Sequence, residues 1–290
     1  MRITTAAALS VALLTVFISG TLDAMNWPCE NVNLIRNFGW NDRGRPVLGM
    51  VFAGDTEVLA AEKGEVIFTR GMDDAASRLP SPFGAWTAVD HEDGLISIYS
   101  RYEDESRSFT QVEKLQPIAQ TGISGWSKQK GVYFILFDRR ERRWINPAMI
   151  ITPLKDTLPP QILSVGLRNS QGVPFNSAQL RNTDQGRYTI LVNTAAFITG
   201  ARENPLAPQR IVCSINGAEA GSLNFEAVSA RDGVLMVYRN GLVPAEQIYA
   251  DFPAFEAADV FLNRGQISLE VIVQDAAGNS RSALSRMIVN

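Results

Sequence analysis

Histidine is nearly absent from this chain: His91 is the single one in 290 residues. A histidine-rich metal site is excluded by that count. Cysteine is scarce, with only Cys29 and Cys213; they are either a disulfide or two buried or free thiols, and they fall in different predicted domains. Positive charge is not in excess. The net charge of −3 and pI near 5.4 argue against nucleic acid as a partner, whose binders concentrate basic residues. Amphipathic helical patterning is almost missing, and beyond the N-terminus no segment is long and apolar enough to span a membrane.

The N-terminus carries the one long apolar run. Met1-Arg2 is a short positive start, residues 6–18 are apolar but too short for a lasting anchor, and small or polar residues lead to Ala24. Residues 1–24 are expected to be a signal peptide cleaved after Ala24. Cys29, in Asn26-Trp27-Pro28-Cys29, lies in no lipid-attachment box. The mature chain is thus expected to be exported and periplasmic or envelope-associated, with no stable membrane span.

About 265 residues remain, room for two ordinary domains. Short apolar runs separated by Gly, Pro, Asn and Asp indicate an all-β protein. Examples are Glu65-Val66-Ile67-Phe68, Trp86-Thr87-Ala88-Val89 and Leu95-Ile96-Ser97-Ile98-Tyr99. Residues 152–160 hold three prolines among polar residues and read as a stiff linker between domains 25–151 and 161–290. Strands are predicted over 161–167, 187–192, 210–215, 233–238, 266–274 and 283–289. In 266–274, Ile267, Leu269, Val271 and Val273 share one face. Strands at this spacing suggest a β-sandwich, and the closing Asp275-Ala276-Ala277-Gly278-Asn279-Ser280 turn resembles that of bacterial immunoglobulin-like modules. Such a turn is either a tight hairpin or a calcium loop.

Five motifs in residues 36–151 carry a further resemblance. They are Asn37-Phe38-Gly39-Trp40, the run Asp55 to Val66 (DTEVLAAEKGEV), Phe83 to Leu95 (FGAWTAVDHEDGL), Ile118-Ala119-Gln120-Thr121-Gly122, and Trp144-Ile145-Asn146-Pro147. In this order they resemble the lysostaphin-like (LytM-type) zinc endopeptidases, which cut peptidoglycan cross-bridges. The resemblance implies a LytM-type β-sheet core. It also implies that the family's zinc ligands and catalytic histidines would fall near Val47 and Val51, at Arg101, and at Phe134 and Leu136, positions two apart that would face the old groove.

None of those side chains suits the chemistry. Catalytic zinc needs three protein ligands, and valine, phenylalanine and leucine have no lone pair to offer. Arg101 is a permanent cation and not a general base. A slip of one or two residues near Val47 supplies no histidine. His91 aligns with a hairpin histidine that is not a metal ligand and is expected to be a structural hydrogen-bonding residue; no Gly-x-Ser-x-Gly elbow accompanies it. No cofactor is implied and no enzymatic activity is expected.

Other candidates concern binding. Phe134 and Leu136 either sit under a covering layer or line an open apolar groove for a partner. The run Arg139-Arg140-Glu141-Arg142-Arg143 is either a solvated turn or a contact for acidic groups, and Trp126 is either packed or a stacking residue on the substrate-rim loop. Glu103-Asp104-Glu105 reads as a surface loop. The resemblance favours a non-catalytic envelope protein that binds peptidoglycan or an envelope protein and regulates cell-wall hydrolases. Alternatives are a cell-wall hydrolase with an unrecognised site and a structural surface or adhesion module.

Overall fold

Short apolar and β-branched runs form strands throughout the described residues, among which no α-helix occurs; Pro147–Met149 and Ala245–Ile248 are single 3-10 turns. The computed structural model describes residues 24–30, 33–72, 80–103, 108–153, 155–250 and 254–290. All but Ala24 of the expected signal segment, Leu154 of the expected linker, and Asp104 and Glu105 lie outside them. No described helix is long and apolar enough to cross a membrane. The protein is all-β.

In the first part, Met50–Ala53, Gly131–Asp138, Leu95–Tyr102, Ala85–Asp90 and Gly64–Arg70 follow one another as antiparallel neighbours. Gly131–Asp138 lies at the centre and is buried over its first six residues. Gly49 lets the backbone come close there: a Cβ at this position would stand 2.1 Å from the Phe134 carbonyl oxygen.

In the second part, Gln161–Asn169, Gly186–Ile198 and Ala254–Leu262 make one antiparallel sheet. Ser280–Val289, Gly265–Gln274, Arg210–Ile215 and Ala218–Arg231 make the facing one. Between them lie Val165, Leu167, Ile190 and Val192 from the first sheet and Ile211, Leu223, Ile267, Leu269, Val271 and Val273 from the second. The face-sharing expected of Ile267, Leu269, Val271 and Val273 is observed, because a half-buried strand exposes alternate residues to the core. The longest strands that escaped the sequence reading are Ala218–Arg231 and Ala254–Leu262, with the shorter Ala201–Leu206 also missed. Ala218–Arg231 is rich in Ala, Gly, Ser and Glu, and its buried residues Leu223, Phe225 and Val228 break the alternation. Its register against Val234–Arg239 shifts between Asn224 and Ser229.

The two parts are joined by more than the 152–160 segment. Arg143–Ile145 pairs with Ala218–Arg231, matching Trp144 with Val228, so one sheet runs through both parts. Phe38, from the Asn37-Phe38-Gly39-Trp40 motif, is fully buried in the sandwich core. Asn37 donates from Nδ2 to the Ala207 carbonyl and accepts from its N–H, both at 2.8 Å. Trp40 Nε1 donates to the Pro205 carbonyl at 3.0 Å, and the Tyr249 hydroxyl donates to the Gly39 carbonyl at 2.7 Å. Gly39, at φ 79°, lies against the Phe225 ring, which a Cβ would meet at 2.4 Å. Cys29 and Cys213 are buried in separate hydrophobic clusters and form no disulfide.

Candidate functional site

The two faces of Gly131–Asp138 determine what a ligand can reach. Val132, Phe134 and Leu136 point into a core with Met50, Phe52, Val58, Ala61 and Tyr99; the Tyr99 ring centre lies 5.3 Å from that of Phe134. Phe134 and Leu136 are fully buried there. Tyr133 and Ile135 point the other way and pack with Val47 and Val51. The expectation that Phe134 and Leu136 face the groove is therefore corrected: the groove lies on the side of Tyr133 and Ile135. An alignment one residue out exchanges the two faces of a strand, and Tyr133–Phe137 is apolar on both, so hydrophobicity offers no cue to the register.

Arg101 joins the groove face through a bulge. In the pairing of Leu95–Tyr102 with Ala85–Asp90, Trp86 opposes Ser100 and Ala85 opposes Tyr102, leaving Arg101 as the extra residue. Its φ is 72°, a left-handed conformation that a side-chain-bearing residue rarely adopts, and its N–H donates to the Phe83 carbonyl at 2.9 Å. Regular alternation would place Arg101 beside Tyr99 in the core. The bulge instead keeps both Tyr99 and Tyr102 in that core and turns Arg101 over the Tyr133 ring, its guanidinium carbon 4.8 Å from the centroid.

A groove of about 720 Å³ opens at this point. Val51, Phe83 and Ile35 form apolar parts of its wall, Arg101 stands inside, and Trp126, 75 % exposed, stands on its rim. The charge around it is one-sided. Arg36, Arg43, Arg45, Arg101, Lys128 and Lys130 line it against a single acid, Asp42. Lys130 is neutralised by Asp55 and Glu103, each at 3.1 Å, and those bonds raise its pKa; Glu103 is thus an ion-pair partner. Arg36 lies over the Trp40 ring at 4.7 Å. Burial lowers the pKa of Arg101, with the neighbouring Tyr133 acting in the opposite direction, yet guanidinium remains charged at neutral pH. Burial pushes the Tyr133 phenol up to about 12, so it is neutral there; its oxygen accepts the Leu48 N–H at 3.1 Å.

The donor set on this face does not fit a catalytic zinc. Val47, Val51, Tyr133, Ile135 and Arg101 provide one neutral phenol and no imidazole, thiolate or carboxylate. Among the described residues no group of three or more His, Cys, Asp or Glu could hold a metal ion. His91 lies elsewhere and is buried, with Nδ1 2.8 Å from the Lys63 carbonyl and Nε2 2.8 Å from Ser97 Oγ. The Ser97 hydroxyl reaches the Tyr99 hydroxyl at 3.0 Å, whose oxygen accepts the Ala61 N–H at 2.7 Å. This chain of bonds ties the hairpin to the loop at Ala61-Glu62-Lys63; it presents no reactive group to a cleft.

The arginine run lies at the far end of the central strand, its first residue Arg139 about 26 Å from Gly131 at a strand's rise per residue. Asp138 accepts the N–H groups of Arg140 and Glu141 at 2.9 and 3.0 Å and closes this turn, where Arg142 has φ 53°. Arg139 pairs with Asp90, and Arg143 reaches Asp138 at 3.8 Å. The fold therefore brings Val51, Arg101 and Trp126 to one groove and leaves Arg139, Arg140, Arg142 and Arg143 outside it. Sequence reasoning missed Tyr133, Ile135 and the cations Arg36, Arg43, Arg45 and Lys128. The three arginines within ten residues were the available signal.

A protein-family model matches residues 159–290. No curated protein matches the chain. Among solved structures, the chain is similar to the SpoIIQ–SpoIIIAH pore-forming complex at 19 % identity, covering 45 % of this chain and 92 % of that one, with a TM-score of 0.37. A zinc-containing peptidase from Vibrio cholerae is 18 % identical over 43 % of this chain and 39 % of its own, TM-score 0.36. The catalytic domain of the prophage-encoded M23 protein EnpA from Enterococcus faecalis is 20 % identical over 41 % and 93 %, TM-score 0.34. At these scores the functional reading rests on the residues of the site itself.

Proposed function

We propose that the chain is an exported, non-catalytic cell-envelope protein in which residues 25–151 form a degenerate LytM-type domain that binds peptidoglycan or a protein partner, possessing no hydrolytic chemistry of its own. The observation that carries this reading is the groove face: Val47, Val51, Tyr133, Ile135 and Arg101 converge where the resemblance calls for metal ligands and catalytic histidines. Tyr133 and Ile135, two residues apart on that face, take the place of the paired histidines. Packed valines and isoleucine stabilise this face of the sheet by burial and cannot polarise a peptide carbonyl.

Residues 161–290 are read as an immunoglobulin-like sandwich. Support comes from the order Gln161–Asn169, Gly186–Ile198, Ala254–Leu262 in one sheet and Ser280–Val289, Gly265–Gln274, Arg210–Ile215, Ala218–Arg231 in the other, two antiparallel layers around one core. In this reading the sandwich fixes the groove's orientation through the shared sheet.

Sedimentation of the purified mature protein with sacculi, and cross-linking in intact envelopes, test the binding. Trp126→Ala is expected to reduce whichever of the two is observed. Failure of both assays would overturn the reading in favour of a structural module. One tightly held zinc per chain, or release of peptidoglycan fragments, would overturn the non-catalytic part.

A further inference from the structure

We infer that the groove is a carboxylate-recognition site, in which Arg101 receives the carboxylate of an extended peptide while Phe83 and Trp126 flank the adjoining residues. This rests on the binding reading above and names the ligand class. Three independent observations point to it.

The first is the strained bulge. A left-handed backbone at a residue with a long side chain is strained and persists where the surroundings impose it. Here its effect is to move one arginine from the core face to the groove face. The second is that this arginine forms no ion pair with any carboxylate of the described residues. Its Nε is shielded from solvent without a hydrogen-bond partner among them. A partly buried guanidinium that forms no ion pair with the described carboxylates carries a desolvation cost that an incoming anion offsets. Stacking on Tyr133 holds its plane, and a planar fork suits a carboxylate.

The third is the groove's charge and shape. With Lys130 neutralised by Asp55 and Glu103, the remaining cations still outnumber Asp42. The volume of about 720 Å³ falls among sites that enclose a ligand of several residues' size, well beyond a lone inorganic anion. Apolar Ile35, Phe83 and Trp126 beside the cations fit a peptide's side chains with its carboxylate at Arg101.

The test is calorimetric or NMR titration of the mature protein with acetylated trialanine ending in a free carboxylate, with its C-terminal amide, and with inorganic phosphate. A hydrogen bond to a charged group is worth about 1.5–3 kcal/mol, so the acid is expected to bind about 10- to 100-fold tighter than the amide. Arg101→Gln should abolish that preference while leaving amide binding unchanged. Arg43→Gln with Arg45→Gln, on the exposed rim and harmless to the core, should weaken the acid severalfold; this holds the test even if Arg101→Gln unfolds. Raising the salt should weaken the acid alone. Equal binding of acid and amide, binding of neither, or phosphate competing as tightly as the acid would each overturn the assignment. The peptide is recovered and weighed: cleavage would instead overturn the non-catalytic reading, so the two failures are distinguishable.

Discussion

Asn37→Ala isolates the coupling between the first and second parts of the chain. The Asn37 side chain bonds both backbone groups of Ala207 at 2.8 Å, spans 170 positions of sequence, and is 7 % exposed. Ala207 is itself buried in the sandwich core. Truncation removes two hydrogen bonds and leaves a buried N–H and a buried carbonyl without partners. At about 1–3 kcal/mol for each of the two orphaned groups, the loss is about 2–6 kcal/mol. For a chain of this size each kcal/mol moves Tm by about 2–4 °C, so a fall of about 4–24 °C is expected. Differential scanning calorimetry is the assay, read together with intrinsic tryptophan fluorescence. Because the shared sheet and the buried Phe38 tie the parts together, wild type and variant should each unfold in a single transition. Asn37→Asp should be worse than alanine, since it keeps the acceptor for the Ala207 N–H but sets a buried carboxylate against its carbonyl. A shift below about 1 °C, or two separated transitions in wild type, would refute the coupling.

Phe134→Ala should destabilise by about 3–5 kcal/mol in denaturant unfolding, because a fully buried ring leaves a cavity, while peptide binding in the folded protein stays unchanged. Loss of binding without loss of stability would return Phe134 to the groove. Gly49→Ala forces a Cβ to within 2.1 Å of the Phe134 carbonyl oxygen, and the cost is expected as low soluble yield or a Tm drop exceeding that of Phe134→Ala. Burial pushes the thiols of Cys29 and Cys213 up to about 12 from an ordinary value of 9.0. Each stays protonated in the native state while it ionises in the unfolded one, so their contribution is full below pH 9 and is lost as pH rises toward 12. Urea midpoints should fall over that window, and less so in the Cys213→Ala variant. Iodoacetamide should label neither thiol at pH 8 until the protein unfolds.

Several elements were legible before the structure. Gly265–Gln274 announces itself because one of its faces is buried and the other wet, which writes a strict alternation into Ile267, Leu269, Val271 and Val273. Arg210–Ile215 was placed to the residue. The central strand was recognisable as a strand but not as to its faces: with both sides covered, Tyr133–Phe137 carries no alternation, and the register had to come from its neighbours, Val51 opposite Tyr133 and Ser100 opposite it on the other edge. The destination of Phe38 was equally hidden. A buried phenylalanine looks the same in sequence whichever core receives it.

What the sequence determined by itself is the chemistry available: one histidine, two distant cysteines, no donors at Val47 or Val51, and apolar runs of strand length that dictate an all-β chain. These follow from residue identity and short-range period, and no folding can alter them. What only the tertiary structure decided is which side chains meet. The bulge at Arg101 reverses a face that simple alternation would assign, and the resulting cation lies over Tyr133 among arginines from a hairpin some sixty residues earlier. Such meetings depend on register and strand order between distant segments, and on a local backbone conformation held by contacts no single segment contains.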